Sequence, residues 1–429
     1  MSVNLLVRII IGLAFFEGVW NYVGLSPFLF RLSLELFILM LFFIYFQFLI
    51  SRNDKSFKSP GLTWVILFTI SLFISTMIND SDLYSSLRIY NRIIFPYLFF
   101  IVILNIKLTQ QSIEKINRFI MYLVFLQIFA AIYKYIMYGV VEGIIIGTFN
   151  NQAGVLSTLF PLLIIGYLIA FYFCYKRNLI LLLVIPGFVF FAWGGGKRAF
   201  FILLPVLLLI AYIIYNTTIR KNKISFLRMT PTLIFVSILM GVIIYLGGRL
   251  NPVFNPEGNT WGSFNFSYMM TQAKNYETNV TQSGATAGRI SSFERTFDKI
   301  MINGDIPRKL FGDGPGIVGN REEQIRHYGI IYGISGATFF LISSGLIGAI
   351  SFLLLFISIG FQVYKRLKFL KDPFYIAIAF GTFLAIIIFL FDYFYYSIGF
   401  FNGYIPILLF YYILAILLKQ VDNQIHTSE

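Results

Sequence analysis

Residues 337–364 read ATFFLISSGLIGAISFLLLFISIGFQVY, a run without a single charged side chain. An apolar run of about 20 residues has the length that an α-helix needs to cross a bilayer. Such runs recur along the chain, which is 58% hydrophobic and 12% charged and has a mean hydropathy of +0.80. The sequence therefore predicts an all-α protein that crosses a membrane many times.

About twelve spans are predicted from these runs. They cover residues 5–23, 32–50, 62–78, 92–105, 117–138, 153–175, 179–193, 199–216, 230–247, 337–364, 373–391 and 401–418. Residues 1–247 hold the spans that precede a long polar stretch, and residues 248–336 form that stretch. Residues 337–429 hold the last spans and a short tail, so that we expect one integrated membrane domain with one elaborate loop.

Basic residues predict the orientation, because short cytoplasmic loops are enriched in Lys and Arg. With the N-terminus inside, the inner segments collect 18 of the 33 basic residues, and both termini are cytoplasmic. The long loop then lies outside and carries nine more, which suits an anionic partner. The net charge of +14 is accounted for in this way without nucleic-acid binding.

Within the long loop, residues 288–303 have the spacing of an amphipathic helix. The apolar positions are Ile290, Phe293, Phe297, Ile300 and Met301. We expect this face to press on the membrane domain or on the membrane interface. Arg289 and Arg295 fall outside the apolar set, where a cation can reach toward phosphate.

His327 is one of only two histidines and lies in the same loop. Its ordinary pKa suits general base catalysis near neutral pH, although a surface histidine without a role is the alternative. Carboxylates that could take the same role are Asp313, Glu294, Glu322 and Glu323.

Two pairs of cations lie at predicted outer turns. Lys197 and Arg198 follow three glycines, whose backbone N–H groups could form an anion nest for lipid phosphate. Arg88 and Arg92 are four residues apart and share one face of a helix, where they could hold a phosphate. Both pairs could equally be interfacial anchors for the spans.

A third outer turn holds Asp80-Ser81-Asp82. The Asp-x-Asp form is typical of sugar-transferring enzymes that hold a divalent metal. A solvated turn explains the same residues, and we favour it over a metal site.

Three parts of the chain together resemble the O-antigen polymerase and O-antigen ligase superfamily of bacterial envelope glycosyltransferases. Residues 147–154 (GTFNNQAG), followed by Pro161, resemble the family's segment that enters a span, and residues 196–199 (GKRA) stand at its Ser-Arg turn. Residues 287–289 (AGR), 310–316 (LFGDGPG) and 345–348 (GLIG) are similar to its T-G-R, G-x-G-x-G and G-L-x-G series. The resemblance covers about half of the chain.

This resemblance implies a GT-C-like membrane glycosyltransferase of the bacterial inner membrane with a long, partly helical periplasmic loop. Its substrates would be a donor and an acceptor oligosaccharide linked to undecaprenyl pyrophosphate in the bilayer, with a chain-length regulator as a further partner and no cofactor or metal. The implied catalytic residues are Arg198, Arg289 and His327. The implied substrate- and pyrophosphate-binding residues are Lys197, Arg88, Arg92, Arg295, Arg326, Asn150 and Asn151.

Polymerase is favoured over ligase, because Ile334 stands where ligases of this family usually carry a His-Asn pair. A ligase would instead transfer the glycan to lipid A-core. A flippase or other transporter of lipid-linked oligosaccharides is the second alternative, since many transporters have a similar number of spans and both termini inside. A scaffold without catalytic activity is a third.

Overall fold

A computed structural model describes residues 2–52, 57–106, 108–139, 145–149, 155–175, 181, 183–195, 198–220, 234, 237–238, 241–242, 244–249, 254–259, 261–278, 288–331, 334–396 and 399–426. These residues form α-helices and π-helical turns, and no β-strand occurs among them. The helices are α1 (Val3–Phe15), α2 (Glu17–Tyr22), α3 (Pro27–Arg52), α4 (Leu62–Ile78), α5 (Leu83–Asn105), α6 (Gln110–Tyr138), α7 (Leu156–Cys174), α8 (Ile185–Gly194), α9 (Arg198–Ile214), α10 (Phe266–Thr278), α11 (Arg289–Phe297), α12 (Ile306–Phe311), α13 (Pro315–Gly319), α14 (Arg321–Tyr328), α15 (Gly336–Leu367), α16 (Pro373–Tyr395), α17 (Gly399–Asn402) and α18 (Tyr404–His426). The π-helical turns Tyr215–Ile219 and Asp298–Ile302 extend α9 and α11.

Seven of the described helices are long and apolar enough to cross a membrane. They are α3, α5, α6, α7, α9 with its π-helical turn, α15 and α16, and shorter apolar helices lie at α1, α4, α8 and α18. Together they overlap every predicted span except 230–247, of which only part is described. The expected all-α, multi-pass membrane protein is thereby confirmed, whereas the total of about twelve spans stays a prediction.

Short polar residues begin several of these helices. Asp82, Ser335 and Asp372 each accept a hydrogen bond from a backbone N–H of the following first turn, at 3.0, 3.1 and 2.8 Å. Such caps satisfy N–H groups that lack a partner within the helix. They set the points at which α5, α15 and α16 begin beside the predicted turns.

The core is aromatic and lies between the packed pairs α4 with α15, α7 with α16, and α5 with α18. Phe340 of α15 is fully buried, and its ring centroid lies 4.2 Å from that of Phe352 and 5.4 Å from that of Phe68 on α4. Ser71 Oγ donates a 2.6 Å hydrogen bond to the Ser344 carbonyl. This bond fixes the position of α4 along α15.

Loops and tails that are predicted to lie on the same side of the membrane are close together in the structure. The Lys58 N–H donates to Asn105 Oδ1 at 2.9 Å, and Lys419 Nζ donates to the Ile106 carbonyl, so three predicted inner loops meet. At the other end of the bundle, Asn79 Nδ2 donates to the Gly312 carbonyl at 3.2 Å. The turn between α4 and α5 and the long loop therefore share one end, as the charge pattern predicts.

Two of the predicted continuous spans are broken in the structure. The first span ends at Phe15 and resumes at Glu17, because Thr148 Oγ1 bonds the Phe15 carbonyl at 2.5 Å and the Gly18 N–H donates to the Thr148 carbonyl at 2.9 Å. The predicted span 337–364 is kinked at Gly345, where φ is 64° and ψ is −163°. The predicted spans included neither break.

Candidate functional site

The glycine segment Gly312–Gly316 of the long loop docks on the kink in α15. The kink frees the Ile342 carbonyl, which accepts hydrogen bonds from the backbone N–H groups of Asp313 at 2.8 Å and Gly314 at 3.2 Å. A Cβ at Gly345 would lie 2.4 Å from the Leu310 backbone, and one at Gly312 would lie 2.4 Å from the Ile342 carbonyl oxygen. Both positions also have positive φ, so that only glycine fits this docking.

The turn between α4 and α5 lies against the same glycine segment. A Cβ at Gly314 would lie 2.1 Å from Ser81 Oγ. Asp80 adopts a φ of 46°, and Asp82 caps α5. Hydrogen bonds from the backbone N–H groups of Ser85 and Tyr84 lower the pKa of the Asp82 carboxyl. The Asp-x-Asp turn thus caps α5 and packs against the glycine segment.

Between this turn and the helices α13 and α14 lies a cavity of about 600 Å³, which we call the outer cavity. Its walls are polar and carry both carboxylates and cations. They are formed by Asn79, Asp80, Ser81, Asp82, Ser85, Arg308, Asp313, Gly316, Ile317, Asn320, Glu323, Arg326 and His327. Closely spaced carboxylate, amide and hydroxyl groups suit a ligand that presents many hydroxyls.

Asp313 is the centre of a hydrogen-bonded network at the floor of the outer cavity. Its carboxylate accepts hydrogen bonds from the Arg308 guanidinium and from the Tyr328 hydroxyl, and its side chain is 8% exposed. The bond with Asp313 raises the pKa of Arg308, and burial followed by the Asp313 charge raises the pKa of Tyr328. The network therefore holds Arg308 charged and Tyr328 neutral beside the cavity.

One further cation, Lys299, lies beside this network. Lys299 Nζ donates to the His327 carbonyl and lies 4.7 Å from the centroid of the Tyr328 ring, and burial followed by the charge of Arg308 lowers its pKa. Arg308 Nε is buried and has no hydrogen-bond partner among the described residues. A buried donor without a partner is costly unless a ligand or water satisfies it.

His327 lies at the rim of the outer cavity. Its Nε2 atom is 3.2 Å from Glu323 Oε2, and Glu323 also pairs with Arg326 at 2.8 Å. The residues at i and i+4 of α14 thus form a carboxylate–imidazole pair. This contact holds the imidazole of His327 beside the cavity.

We expect Tyr328→Phe to lower the free energy of unfolding by about 1.5 kcal/mol, because Asp313 loses a charge-assisted hydrogen bond while the aromatic packing is kept. Thermal unfolding of the purified protein measures this change. Tyr22→Phe is the matched control, since Tyr22 is 85% exposed and its loss should leave the melting temperature unchanged. Equal melting temperatures for wild type and Tyr328→Phe would contradict the network.

A second group of predicted segments meets at the first turn of α7. We call this region the α7 junction, and it consists of Ile145–Phe149, Val155–Thr158, Gly194–Gly195, Arg289 and Tyr396. A Cβ at Gly194 would lie 3.0 Å from the Ile145 side chain, and one at Gly195 would lie 2.6 Å from Ser157. Phe149 is 1% exposed, with its ring centroid 4.9 Å from that of Phe160 in α7. The chain before α7 and the turn before α9 are therefore packed on one helix start.

Arg289 joins this junction through two tyrosines at the end of α16. Its Cζ lies 4.3 Å from the ring centroid of Tyr395 and 5.3 Å from that of Tyr396, whose hydroxyl is 3.2 Å from Thr158 Oγ1. Its guanidinium also pairs with Glu277 at 3.2 Å, and Glu277 accepts a 2.8 Å hydrogen bond from Tyr395. Arg289 is thus held between Glu277 and the two tyrosines, and its predicted role toward phosphate stays a prediction.

The helix α11 turns its apolar stripe outward. Ile290, Phe293 and Phe297 are 50%, 42% and 43% exposed, while Ser292 and Thr296 on the opposite face are fully buried. The predicted contact of these three side chains with the membrane domain is wrong, and their other predicted environment, the membrane interface, stays a prediction. Ile300 in the following π-helical turn is buried in the core as expected.

The remaining predicted site residues fall into three groups. Arg295 Nη1 donates to the Gly329 carbonyl at 3.5 Å, which links α11 to the end of α14. Arg88 and Arg92 lie together on α5, with Arg31 as a further neighbouring charge. Arg198 begins α9, but its side chain is outside the described part, as are Lys197, Asn150 and Asn151.

The sequence did not single out Arg308, Asn79 or Asn320 of the outer cavity. Arg308 lies near the end of α12 and Asp313 lies in the turn that follows. Because the pair does not lie on one face of a single helix, helical spacing in the sequence could not predict it. Asn320 could have been found as a helix cap, because it precedes two glutamates in the first turn of α14.

Among the described residues, no group of three or more His, Cys, Asp or Glu side chains is arranged to hold a metal ion. No family model matches the chain, and no curated protein matches it either.

Proposed function

We propose that this protein polymerises a bacterial surface polysaccharide by transferring a growing glycan from polyprenyl pyrophosphate onto a lipid-linked repeat unit at the outer face of the inner membrane. The observation that carries the proposal is the convergence at the α7 junction. Segments 145–149, 194–195 and Arg289 are distant in sequence, yet they pack on one helix start at the end of the bundle that holds the long loop.

The donor half of the reaction requires cations near the leaving group. As the bond between the anomeric carbon and the pyrophosphate oxygen breaks, negative charge develops on the polyprenyl pyrophosphate. Fixed arginines stabilise such charge strongly in a poorly solvated site. Arg289 is held by Glu277 and the two tyrosines, and Arg198 begins α9 three residues after Gly195 of the same junction.

The acceptor half requires a hydroxyl-binding site and a base. The outer cavity offers carboxylate, amide and hydroxyl groups for an oligosaccharide, and Arg308 Nε is a buried donor that a sugar oxygen could satisfy. His327, with Glu323 beside it, takes the proton of the attacking hydroxyl, and that oxygen bonds the anomeric carbon. Glycan transfer en bloc then lengthens the chain by one repeat unit.

We expect Arg289→Ala and Arg198→Ala each to lower polymerisation about a hundredfold, which corresponds to roughly 3 kcal/mol of transition-state stabilisation. The measurement is the rate at which lipid-linked repeat units are lengthened in membranes that contain equal amounts of each variant. Lys274→Ala is the control, because this cation of the same loop is exposed and lies outside the described contacts of the site.

The companion variant Glu277→Gln distinguishes a catalytic role of Arg289 from a purely structural one. If Arg289 only clamps α10 to α16, then Glu277→Gln breaks the clamp and lowers the rate as much as Arg289→Ala does. The proposal predicts a smaller loss for Glu277→Gln. Wild-type rates in both arginine variants would remove these residues from the site.

A further inference from the structure

A groove of about 380 Å³ lies along one face of α1 and is closed on one side by Phe119 of α6. It is lined by Leu5, Arg8, Ile9, Gly12, Leu13, Phe16 and Phe119. The α1 residues recur at the spacing of one helix face, and every one except Arg8 and Gly12 is apolar. The described lining of the groove is therefore mostly apolar, with one cation and no carboxylate.

Gly12 makes room for the groove. A Cβ at this position would lie 3.3 Å from the Phe119 ring, so that any larger side chain would occupy the space between the two helices. Leu5 and Phe16 at the two ends of the stripe are 41% and 36% exposed. An extended hydrocarbon chain fits such an apolar trough along a membrane-facing helix.

The polar atoms of the groove lie in its N-terminal half. Arg8 Nε is buried from solvent and has no hydrogen-bond partner among the described residues. Asn4 Oδ1, one helical turn earlier, is buried and unpartnered in the same sense. A guanidinium in this position is an efficient phosphate ligand, and basic pockets between membrane helices on the cytoplasmic side bind anionic head groups.

We infer that this groove binds an anionic glycerophospholipid of the cytoplasmic leaflet, with its phosphate on Arg8 and one acyl chain along Ile9, Gly12 and Leu13. The positive-inside pattern puts the N-terminal end of α1 at that leaflet, where the surface potential is negative because of the anionic lipids. The inference is independent of the proposed glycan transfer, because the groove uses none of its residues.

Native mass spectrometry of the purified full-length protein tests this site with phosphatidylglycerol and phosphatidylcholine that carry identical acyl chains. We expect the wild type to retain phosphatidylglycerol about tenfold more strongly, which corresponds to about 1.4 kcal/mol. Arg8→Gln should abolish the preference. Lys371→Gln, which removes an exposed cation outside the groove, should keep it.

A second variant tests the proposed binding position of the acyl chain and leaves the charge of Arg8 in place. Gly12→Leu fills the trough and should reduce phosphatidylglycerol retention to the level of Arg8→Gln, although Arg8 is present. Equal retention of the two lipids by the wild type, an unchanged preference in Arg8→Gln, or full retention in Gly12→Leu overturns the inference. A melting temperature for each variant identifies a loss of binding that is caused by unfolding alone.

Discussion

Replacing Gly345 by alanine is expected to abolish assembly of the site and to destabilise the protein by more than about 3 kcal/mol. A positive φ costs a residue with a Cβ about 1 kcal/mol or more. The added Cβ would also lie 2.4 Å from the backbone of Leu310, which cannot rotate away as a side chain could. The glycine segment would then lose its two hydrogen bonds to the Ile342 carbonyl, each worth about 1 kcal/mol.

Gly139→Ala provides the matched control for this effect. Gly139 has a φ of +70°, close to that of Gly345, but among the described residues no heavy atom beyond its chain neighbours lies within 4 Å of an added Cβ. This variant bears only the conformational cost of about 1 kcal/mol. The measurements are the yield of monodisperse protein and the melting temperature. Equal effects of the two substitutions would show that the docked loop does not depend on the kink.

The second large effect is expected at the Arg308–Asp313 pair. Asp313→Asn leaves the half-buried guanidinium without its counter-charge, and removing one partner of a buried pair costs about 3 kcal/mol. We reduce this expectation to roughly 2 kcal/mol, because Arg308 is 28% exposed and water screens part of its charge. Under the proposed function, polymerisation should also fall steeply, because the Arg308 guanidinium is no longer held at the outer cavity by Asp313.

The double variant Arg308→Gln/Asp313→Asn distinguishes stability from function. Without either charge, the neutral pair should recover most of the lost melting temperature. Its polymerisation rate should stay low, because the outer cavity has lost its buried cation. Recovery of both stability and rate in the double variant would limit Arg308 to a structural role.

The hydropathy pattern was enough to predict the all-α membrane fold, because a span needs only a local apolar run. The breaks at Phe16 and Gly345 could not be predicted in this way. They depend on Thr148 and Leu310, which are distant in sequence, and a glycine within an apolar run is compatible with either a straight or a kinked helix.

Some residues of the candidate site could likewise be predicted from the sequence, and others could not. The pairing of His327 with Glu323 follows from the spacing of one helix turn, so that both residues could be placed from sequence. The cage around Arg289 could not, since Glu277, Tyr395 and Tyr396 come from two other helices and their connections. The outward apolar stripe of α11 was visible in the sequence, but the face that packs on α15 was not.

Reconstitution with the proposed substrate tests the central claim most directly. The purified protein in lipid vesicles is supplied with the polyprenyl-pyrophosphate-linked repeat unit of its host, and the lipid-linked glycan is resolved on a gel. The proposal predicts a ladder of increasing length without any other acceptor, which is lost in Arg289→Ala. Transfer that appears only when lipid A-core is added would contradict polymerisation in favour of ligation, and movement of the unchanged unit across the bilayer would identify a transporter.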